Sequence, residues 1–275
     1  MSEASVVAAS QVPLTRSALV AQLRACGVSA GQLLLVHSSL SSLGWVAGGA
    51  VTVIHALLDA LGAAGTLMMP THTADNSDPA NWRAPPVPEE WWPVLRAELP
   101  AFDPQRTPSR GMGCIAEAFR SWPGTLRSAH PIGSFAAQGP LAAAILADDS
   151  DLAQLFGEAS PIGQLYRHGG HVLLLGVGHD SNTSLHLAEH RARIWRPTLQ
   201  EGAAMYKEGA RQWVPFTMAG LETDDFPTLG AAFEAANDVT PARVGNADVR
   251  LLPMRALVDF AVPWLEEHRP AAAND

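Results

Sequence analysis

The sequence predicts an α/β protein in which a mixed, largely parallel central sheet is covered by helices on both faces, giving three layers. Short apolar runs alternate with segments of helical periodicity along much of the 275-residue chain. The apolar runs have no polar face, which is typical of strands buried on both sides of a sheet. Helices between such strands supply the crossover connections that parallel strands require.

The first predicted strand is QLLLVHSS, residues 32–39, where a buried run ends in a polar loop. The amphipathic helix AVTVIHALLDALG, residues 50–62, follows it and is closed by Gly62 and Gly65. The second strand is TLMMP, residues 66–70. An order of strand, helix and strand indicates a parallel pair.

A similar group of elements occurs later in the chain. SPIGQLYRHG, residues 160–169, and TSLHLAEHRARIW, residues 183–195, have the pattern of helices. HVLLLGVG, residues 171–178, lies between them and has the pattern of a buried strand. This group therefore adds a further strand to the same sheet.

Histidines follow the ends of the three predicted strands. His37, His72 and His179 each stand where an apolar run gives way to a polar loop. In sheets of this kind, ligands bind in the crevice beyond the carboxyl ends of the strands. The sequence therefore predicts a functional site at this edge of the sheet.

An irregular span over residues 72–110 is rich in proline and holds three of the eight tryptophans. A loop of this length in a compact domain is usually a lid or a binding loop. The segment DNSDPANW supplies Asp75, Asp78 and an aromatic ring, which suit a polar, cationic, sugar-like ligand. The alternative is a surface excursion whose tryptophans only pack on the body of the protein.

Composition excludes several classes of protein. A net charge of −9, from 18 basic and 27 acidic residues, argues against nucleic acid as a partner and tolerates a cationic ligand. No segment approaches the roughly 20 apolar residues of a membrane span, and the N-terminus does not resemble a secretory signal. We expect a cytoplasmic protein with one domain over residues 1–275, a disordered tail over 270–275, and reduced thiols at Cys26 and Cys114.

The segment GVGHDSNTSLHLAEH, residues 176–190, concentrates three histidines and two carboxylates behind a predicted strand. Within it, HLAEH at 186–190 matches the spacing at which two histidines ligate zinc and a glutamate activates water. A catalytic zinc needs a third protein ligand, and no obvious one follows His190. Three interpretations remain open: a zinc site, a solvated helix face, and proton transfer by His186 with Glu189.

Four blocks of this sequence resemble conserved blocks of the aminoglycoside 3-N-acetyltransferase family. They are LLLVHSSLSSLGWVAGGAVTVIHALLDALGAAGTLMMPTHT at 33–73, FDPQRTPSRGMGCIAEAFRSWPGTLRSAHPIGSFAAQGP at 102–140, FGEASPIGQLYRHGGHVLLLGVGHDSNTSLHLAEHRA at 156–192 and DDFPTLG at 224–230. The resemblance implies an enzyme that moves the acetyl group of acetyl-coenzyme A to the 3-amino group of the deoxystreptamine ring of aminoglycoside antibiotics, and so confers resistance.

Together with that resemblance, the chemistry of acetyl transfer suggests roles for three residues. A substrate ammonium group must lose a proton before it attacks the thioester carbonyl, and an imidazole oriented by a carboxylate suits this task. We therefore expect His186 to be the general base, Glu189 to orient it, and His37 to polarise the site. The amine would attack the thioester directly, because Cys114 has no visible basic partner that would make it a nucleophile.

The loop HSSLSSLGWVAGG, residues 37–49, offers hydroxyls and backbone N–H groups ahead of a helix. A helix N-terminus of this kind attracts the phosphates of a nucleotide. The resemblance assigns eight coenzyme contacts: Ser38, Ser39, Gly48, Gly49, Ser109, Arg110, Gly111 and Ser134.

Five further residues are expected to hold the antibiotic: Asp75, Asn76, Glu117, Asp225 and Phe226. The expected partners are thus acetyl-coenzyme A and an aminoglycoside, with no metal, no nucleic acid and no membrane. The oligomeric state is left as monomer or homodimer. Two other functions stay open: a zinc hydrolase built on residues 186–190, and a non-catalytic protein that binds cationic sugars.

Overall fold

The computed structural model describes residues 3–147 and 149–272. The strands of this part are β1 (Leu33–Ser38), β2 (Thr66–Pro70), β3 (Leu126–Arg127), β4 (Phe135–Gln138), β5 (His171–Leu175), β6 (Thr198–Lys207), β7 (Ala210–Ala219), β8 (Ala242–Val244) and β9 (Ala247–Pro253). Its α-helices are α1 (Glu3–Ala8), α2 (Arg16–Ala25), α3 (Gly49–Leu61), α4 (Trp92–Glu98), α5 (Gly113–Arg120), α6 (Ala142–Leu146), α7 (Pro161–Arg167), α8 (Leu185–Arg191), α9 (Phe226–Ala236) and α10 (Met254–His268).

Seven strands form one sheet in the order β3-β4-β2-β1-β5-β9-β8, and β6 and β7 form a separate hairpin. β1 pairs in parallel with β2 and with β5, so that Leu35 lies between Met68 and Val172. The pairs β2–β4, β3–β4, β5–β9 and β8–β9 are antiparallel. In this sheet β4 and β9 are therefore antiparallel in direction to the other five strands. This arrangement confirms the predicted mixed, largely parallel sheet.

Alternating residues of the central strands build two apolar cores. Leu33 and Leu35 of β1 pack on one face with apolar residues of α6 to α10, while Leu34 and Val36 pack on the other with residues of α2, α3 and α5. The side chains of a strand point alternately to its two faces, so a strand with no polar face joins both cores. The two cores give the three layers that the sequence predicts.

The parallel strands β1, β2 and β5 end at the same edge of the sheet. Ser38, Pro70 and Leu175 are their last residues. The loops that follow these strands are therefore neighbours although they lie far apart in the sequence. This edge carries the cavity described below.

The span 72–110 is more regular than the sequence predicts, because it contains α4 and three 3-10 turns. Hydrogen bonds also join this span to the β6–β7 hairpin. The sequence analysis did not predict the hairpin. The Phe102 N–H donates to the Ala204 carbonyl over 2.8 Å, and Arg211 Nε donates to the Leu99 carbonyl over 3.0 Å. Such contacts fit either a binding loop or a packed surface excursion.

The C-terminal segment packs on the loop after α8. The Trp195 N–H donates to the Pro270 carbonyl over 2.8 Å, and the Ala272 N–H donates to the Arg193 carbonyl over 3.2 Å. Disorder was expected over 270–275; residues 270–272 make these contacts, and 273–275 lie outside the described residues. No helix in the described part of the chain is long and apolar enough to cross a membrane.

Candidate active site

A cavity of about 1010 Å³ opens at the carboxyl edge of the sheet. Its wall is formed by the loop after β1, the end of β2, the start of α5 and the segment between β5 and α8. A volume of this size exceeds that of most drug-sized ligand sites and suits a large cosubstrate together with an acceptor. The cavity therefore lies where the strand-end rule predicts a site.

Three histidines line this cavity: His37, His72 and His186. The Phe156 ring lies between two of them, with its centroid 5.0 Å from that of His72 and 5.2 Å from that of His186. Burial, followed by the charge of His186, lowers the pKa of His37 to about 3. Burial likewise lowers the pKa of His72 to about 3, with His37 as the next cause. Both rings are therefore neutral imidazoles at neutral pH.

His186 and Glu189 lie one turn apart on α8 and form a direct hydrogen bond. The Nδ1 atom of His186 contacts the Glu189 carboxylate, whose side chain has no solvent exposure. This contact leaves Nε2 as the ring nitrogen available on the cavity side. The helical spacing that suggested the pair thus brings the two groups together.

The Glu189 carboxylate has further partners on the side away from the imidazole. Its Oε1 accepts from Arg269 Nη1 over 2.5 Å and from the Glu222 N–H over 3.1 Å. Burial raises the pKa of Glu189, but the hydrogen bonds from His186 and Arg269 outweigh that effect and bring the pKa below its ordinary value. Glu189 is therefore an ionised carboxylate inside the protein.

The second histidine of the HLAEH motif points elsewhere. His190 Nε2 hydrogen-bonds to the Leu155 carbonyl over 2.7 Å, whereas His186 bonds Glu189. Within residues 3–147 and 149–272, no group of three or more His, Cys, Asp or Glu side chains is arranged to hold a metal ion. The donor geometry therefore gives no support to the zinc hydrolase alternative.

Six further expected site residues line the cavity. His37 and Ser38 end β1, Ser39 and Gly48 lie in the loop that follows, Gly49 begins α3, and Gly111 precedes α5. Gly48 and Gly49 have φ angles of 85° and 57°, in the left-handed region that favours glycine. A Cβ on Gly48 would also lie only 2.5 Å from Thr52 Oγ1. Glycine is therefore required where α3 begins beside the cavity.

Three expected coenzyme contacts do not line the cavity. Ser134 is fully buried, and its hydroxyl donates to the Thr71 carbonyl over 2.9 Å. The Ser109 hydroxyl donates to Glu117 over 2.7 Å. Arg110 faces Asp75, with 3.5 Å between nitrogen and oxygen. Ser134 and Ser109 are engaged with the protein, whereas Arg110 keeps 55% of its side chain exposed. The assignment of these three residues to coenzyme A has no support from the cavity wall.

Most of the expected antibiotic contacts are also occupied by protein groups. Burial raises the pKa of Glu117, but hydrogen bonds from Arg120 and Ser109 outweigh it and lower the pKa to about 2. The buried Asn76 amide donates to two backbone carbonyls, those of Pro131 and Ala204. Glu117 and Asn76 therefore help to fold the loops around the site.

The acidic motif near 225 also bonds protein groups. Both oxygens of Asp225 accept from Arg269, over 2.7 and 2.6 Å, and Phe226 is fully buried with its ring 5.0 Å from that of His186. Of the five expected antibiotic residues, Asp75 keeps the most accessible carboxylate, with 44% of its side chain exposed.

The sequence analysis missed several residues of this site. Cys114 was set aside because no basic partner was visible, yet it lies in the cavity wall at the start of α5. Phe156 has a φ of 65°, which is rare for a residue with a side chain. No local sequence pattern indicates this conformation or a place in the site. His72 follows the end of a predicted strand, and this position could have identified it as a site residue. The sequence analysis gave it no role. Arg269 had no signal, since its partners lie far away in the sequence.

A model of the aminoglycoside 3-N-acetyltransferase family matches residues 35–266. The aminoglycoside N(3')-acetyltransferase-like protein YokD of Bacillus subtilis is 43% identical over 260 residues, covering 94% of this chain and 95% of that protein. Aminoglycoside N(3)-acetyltransferase IX of Micromonospora chalcea is 38% identical, covering 97% of this chain and 98% of its own.

Comparison with solved structures also finds similarity to aminoglycoside acetyltransferases over nearly the whole chain. The crystal structure of YokD from Bacillus subtilis has a TM-score of 0.93 at 41% identity, covering 96% of this chain and 98% of that one. A binary complex of AAC-IIIb with CoASH has a TM-score of 0.84 at 32% identity, covering 96% and 100%. AAC-VIa bound to sisomicin has a TM-score of 0.85 at 32% identity, covering 94% and 100%.

Proposed function

The chain belongs to the aminoglycoside 3-N-acetyltransferase family, and we propose that it transfers the acetyl group of acetyl-coenzyme A to the 3-amino group of the deoxystreptamine ring of an aminoglycoside. The observation that carries this proposal is the His186–Glu189 pair in the wall of a cavity of about 1010 Å³. Acetylation turns a cationic amine into a neutral amide. The loss of that charge is the means by which we expect the enzyme to confer resistance.

His186 is the general base of the proposed reaction. Its Nε2 takes a proton from the ammonium group of the antibiotic, and the free amine attacks the thioester carbonyl carbon. A C–N bond forms, the C–S bond breaks, and the imidazolium gives its proton to the departing thiolate of coenzyme A. The freed Nε2 then takes the second proton that the new amide nitrogen must lose, and this proton leaves to solvent. Glu189 holds Nδ1 and stabilises the imidazolium while it exists. No acyl-enzyme is needed.

His37 is the group we propose to polarise the thioester. It lies at the end of β1, in the cavity wall, and its buried Nε2 has no hydrogen-bond partner in the described part of the chain. Because its pKa is about 3, it stays a neutral imidazole and does not compete with His186 for the amine proton. A neutral imidazole N–H near the carbonyl oxygen would stabilise the charge that develops there.

Acetyl-coenzyme A is proposed to bind along the loop 37–49. Ser38 and Ser39 offer hydroxyls. The Gly49 N–H donates to the Val46 carbonyl over 3.0 Å, and the next N–H groups of α3 have no partners within the helix. Gly48 and Gly49 let an anionic group approach these N–H groups closely, as a pyrophosphate requires. The similarity to a structure that contains CoASH supports this placement.

The antibiotic is proposed to bind in the part of the cavity that acetyl-coenzyme A leaves free, with its ammonium groups near acidic side chains. Asp75 lies on the loop that follows β2, outside the cavity wall, and its carboxylate beside Arg110 stays accessible to an ammonium group. The net charge of −9 favours the approach of a cation. The similarity to a sisomicin-bound structure supports an aminoglycoside as the acceptor. A protein that only binds cationic sugars would have no need of a base in the cavity wall.

The proposal is tested by release of thiol from acetyl-coenzyme A. Purified protein is mixed with acetyl-coenzyme A and gentamicin, and free thiol is followed with a chromogenic disulfide reagent. We expect thiol to appear only when both substrates are present, in amounts equal to the antibiotic consumed, and equally with or without a chelator. Binding of gentamicin by calorimetry without thiol release would instead indicate a non-catalytic binding protein.

A further inference from the structure

We propose that Arg269 is a positioning residue of the reaction: its guanidinium keeps the buried Glu189 carboxylate ionised, and so keeps the cavity-facing nitrogen of His186 free of a proton. This inference rests on the proposed role of His186 as the base. Arg269 follows α10 and lies after residue 266, the last residue that the family model matches. It therefore belongs to none of the blocks from which the function was inferred.

The Arg269 guanidinium is fully engaged inside the protein. Nη1 donates to Glu189 Oε1 over 2.5 Å, while Nε and Nη2 donate to the two oxygens of Asp225 over 2.7 and 2.6 Å. Nη2 also reaches the Glu222 carbonyl over 3.2 Å. With 9% of its side chain exposed, the cation is shielded from solvent by these partners. Asp225 thus supports Arg269 with both of its carboxylate oxygens.

The backbone around Arg269 fixes its place. Its N–H donates to the Leu265 carbonyl over 2.9 Å, and the next residue, Pro270, accepts from the Trp195 N–H over 2.8 Å. The segment is therefore held at both ends, by α10 and by the loop after α8. Arg269 reaches Glu189 from a chain position 80 residues away.

A carboxylate without solvent exposure is expensive to keep charged unless cations and donors compensate it. Glu189 faces His186 on one side and Arg269 on the other. The titratable groups around this pair include His190, Arg196, Asp225 and Glu222, and His37 and His72 interact with His186. Arg269 is the permanent cation bonded to it. Without the guanidinium, burial would favour the protonated carboxylic acid.

The protonation state of Glu189 decides where the imidazole keeps its proton. An ionised Glu189 accepts from Nδ1–H of His186, so Nε2 carries a lone pair toward the cavity. A protonated Glu189 would donate to Nδ1, and the ring proton would then sit on Nε2. In that tautomer His186 could not take a proton from the substrate amine. Arg269 thus acts on the base through the carboxylate, without touching the substrate.

The kinetic test compares Arg269→Ala with Arg269→Lys. We expect Arg269→Ala to lower kcat by about 10- to 100-fold, the range for loss of a charge-assisted hydrogen bond, with little change in KM for acetyl-coenzyme A. The acid limb of its kcat–pH profile should move to higher pH, because Glu189 would take up a proton more readily. Arg269→Lys should recover part of the loss, and added guanidinium ion should restore part of the activity of Arg269→Ala.

Arg191→Ala is the matched control. Arg191 also forms a two-point ion pair, with Glu158 over 2.6 and 3.2 Å, and it ends the same helix α8, but it does not touch the site pair. We expect this variant to keep the wild-type kcat and pH profile. A similar melting temperature of the two alanine variants would show that a kinetic difference between them does not come from unfolding.

A second readout needs no substrate. The ¹⁵N spectrum of histidine-labelled wild-type protein should show His186 protonated at Nδ1 alone, and Arg269→Ala should show the proton shifted to Nε2. Wild-type kcat, pH profile and ¹⁵N pattern in Arg269→Ala would overturn the inference. Wild-type protein that releases no thiol would overturn the proposed function instead, and the ¹⁵N comparison would still decide what Arg269 does to the imidazole.

Discussion

Replacing His186 with alanine is expected to lower kcat by about two to four decades, the usual loss when a general base is removed. The substrate amine would then depend on water to take its proton, while the loop 37–49 and its contacts stay intact. KM for acetyl-coenzyme A should therefore change little. Steady-state thiol release measures both quantities, and a His186→Ala variant with near-wild-type kcat would contradict the assignment.

The neighbouring histidine provides the matched control for this experiment. His190 lies on the same helix, one residue beyond Glu189, but its Nε2 bonds the Leu155 carbonyl. We expect His190→Ala to reduce kcat only mildly, whereas a zinc site built on the same motif would lose activity with either histidine. The kcat of Glu189→Gln should lie between those of His186→Ala and His190→Ala. The imidazole remains in this variant, but the negative charge that stabilises the imidazolium is gone.

Replacing Gly49 with leucine is expected to raise KM for acetyl-coenzyme A by about tenfold or more, through loss of the anion contact at the start of α3. A Cβ at Gly49 would meet no heavy atom closer than 4.0 Å, that of Leu40, which also lines the cavity. The added side chain therefore enters the space proposed for the cosubstrate. KM for the antibiotic should change far less, as initial rates at varied concentrations of each substrate would show.

Gly62→Leu is the control that separates a rise of KM caused by lost coenzyme contact from one caused by backbone strain. Gly62 stands at the other end of α3 with a φ of 63°, close to the 57° of Gly49, and its nearest Cβ contact would be Ala30 at 3.8 Å. Both positions have a positive φ that disfavours leucine, but only Gly49 lines the cavity. An equal rise of KM for acetyl-coenzyme A in the two variants would remove the coenzyme from this loop.

The parts of the site that depend on local geometry could be predicted from the sequence. Strand ends at 38, 70 and 175 brought three loops to one edge, because parallel strands end together. The helical repeat placed His186 and Glu189 on one face, and the structure brings them into contact. Glycines ahead of α3 indicated close approach of a ligand, and their positive φ angles fit that interpretation.

The parts that depend on distant partners could not be predicted. Asp225 and Glu117 were assigned to the antibiotic because they are acidic, and the structure pairs them with Arg269 and Arg120. Nothing in the residues around Asp225 indicates an arginine 44 positions later. Ser134 was assigned to the coenzyme from a resemblance of blocks, and its burial follows from the pairing of β4 with β2.

The position of the acetyl group in the product tests the central claim most directly. Gentamicin is incubated with acetyl-coenzyme A and the wild-type protein, and the product is assigned by two-dimensional NMR. We expect a single acetyl group whose carbonyl carbon correlates with the proton on C3 of the deoxystreptamine ring. An acetyl group on another amine or on a hydroxyl, or antibiotic recovered unchanged, would contradict the proposed transfer of acetyl to the 3-amino group.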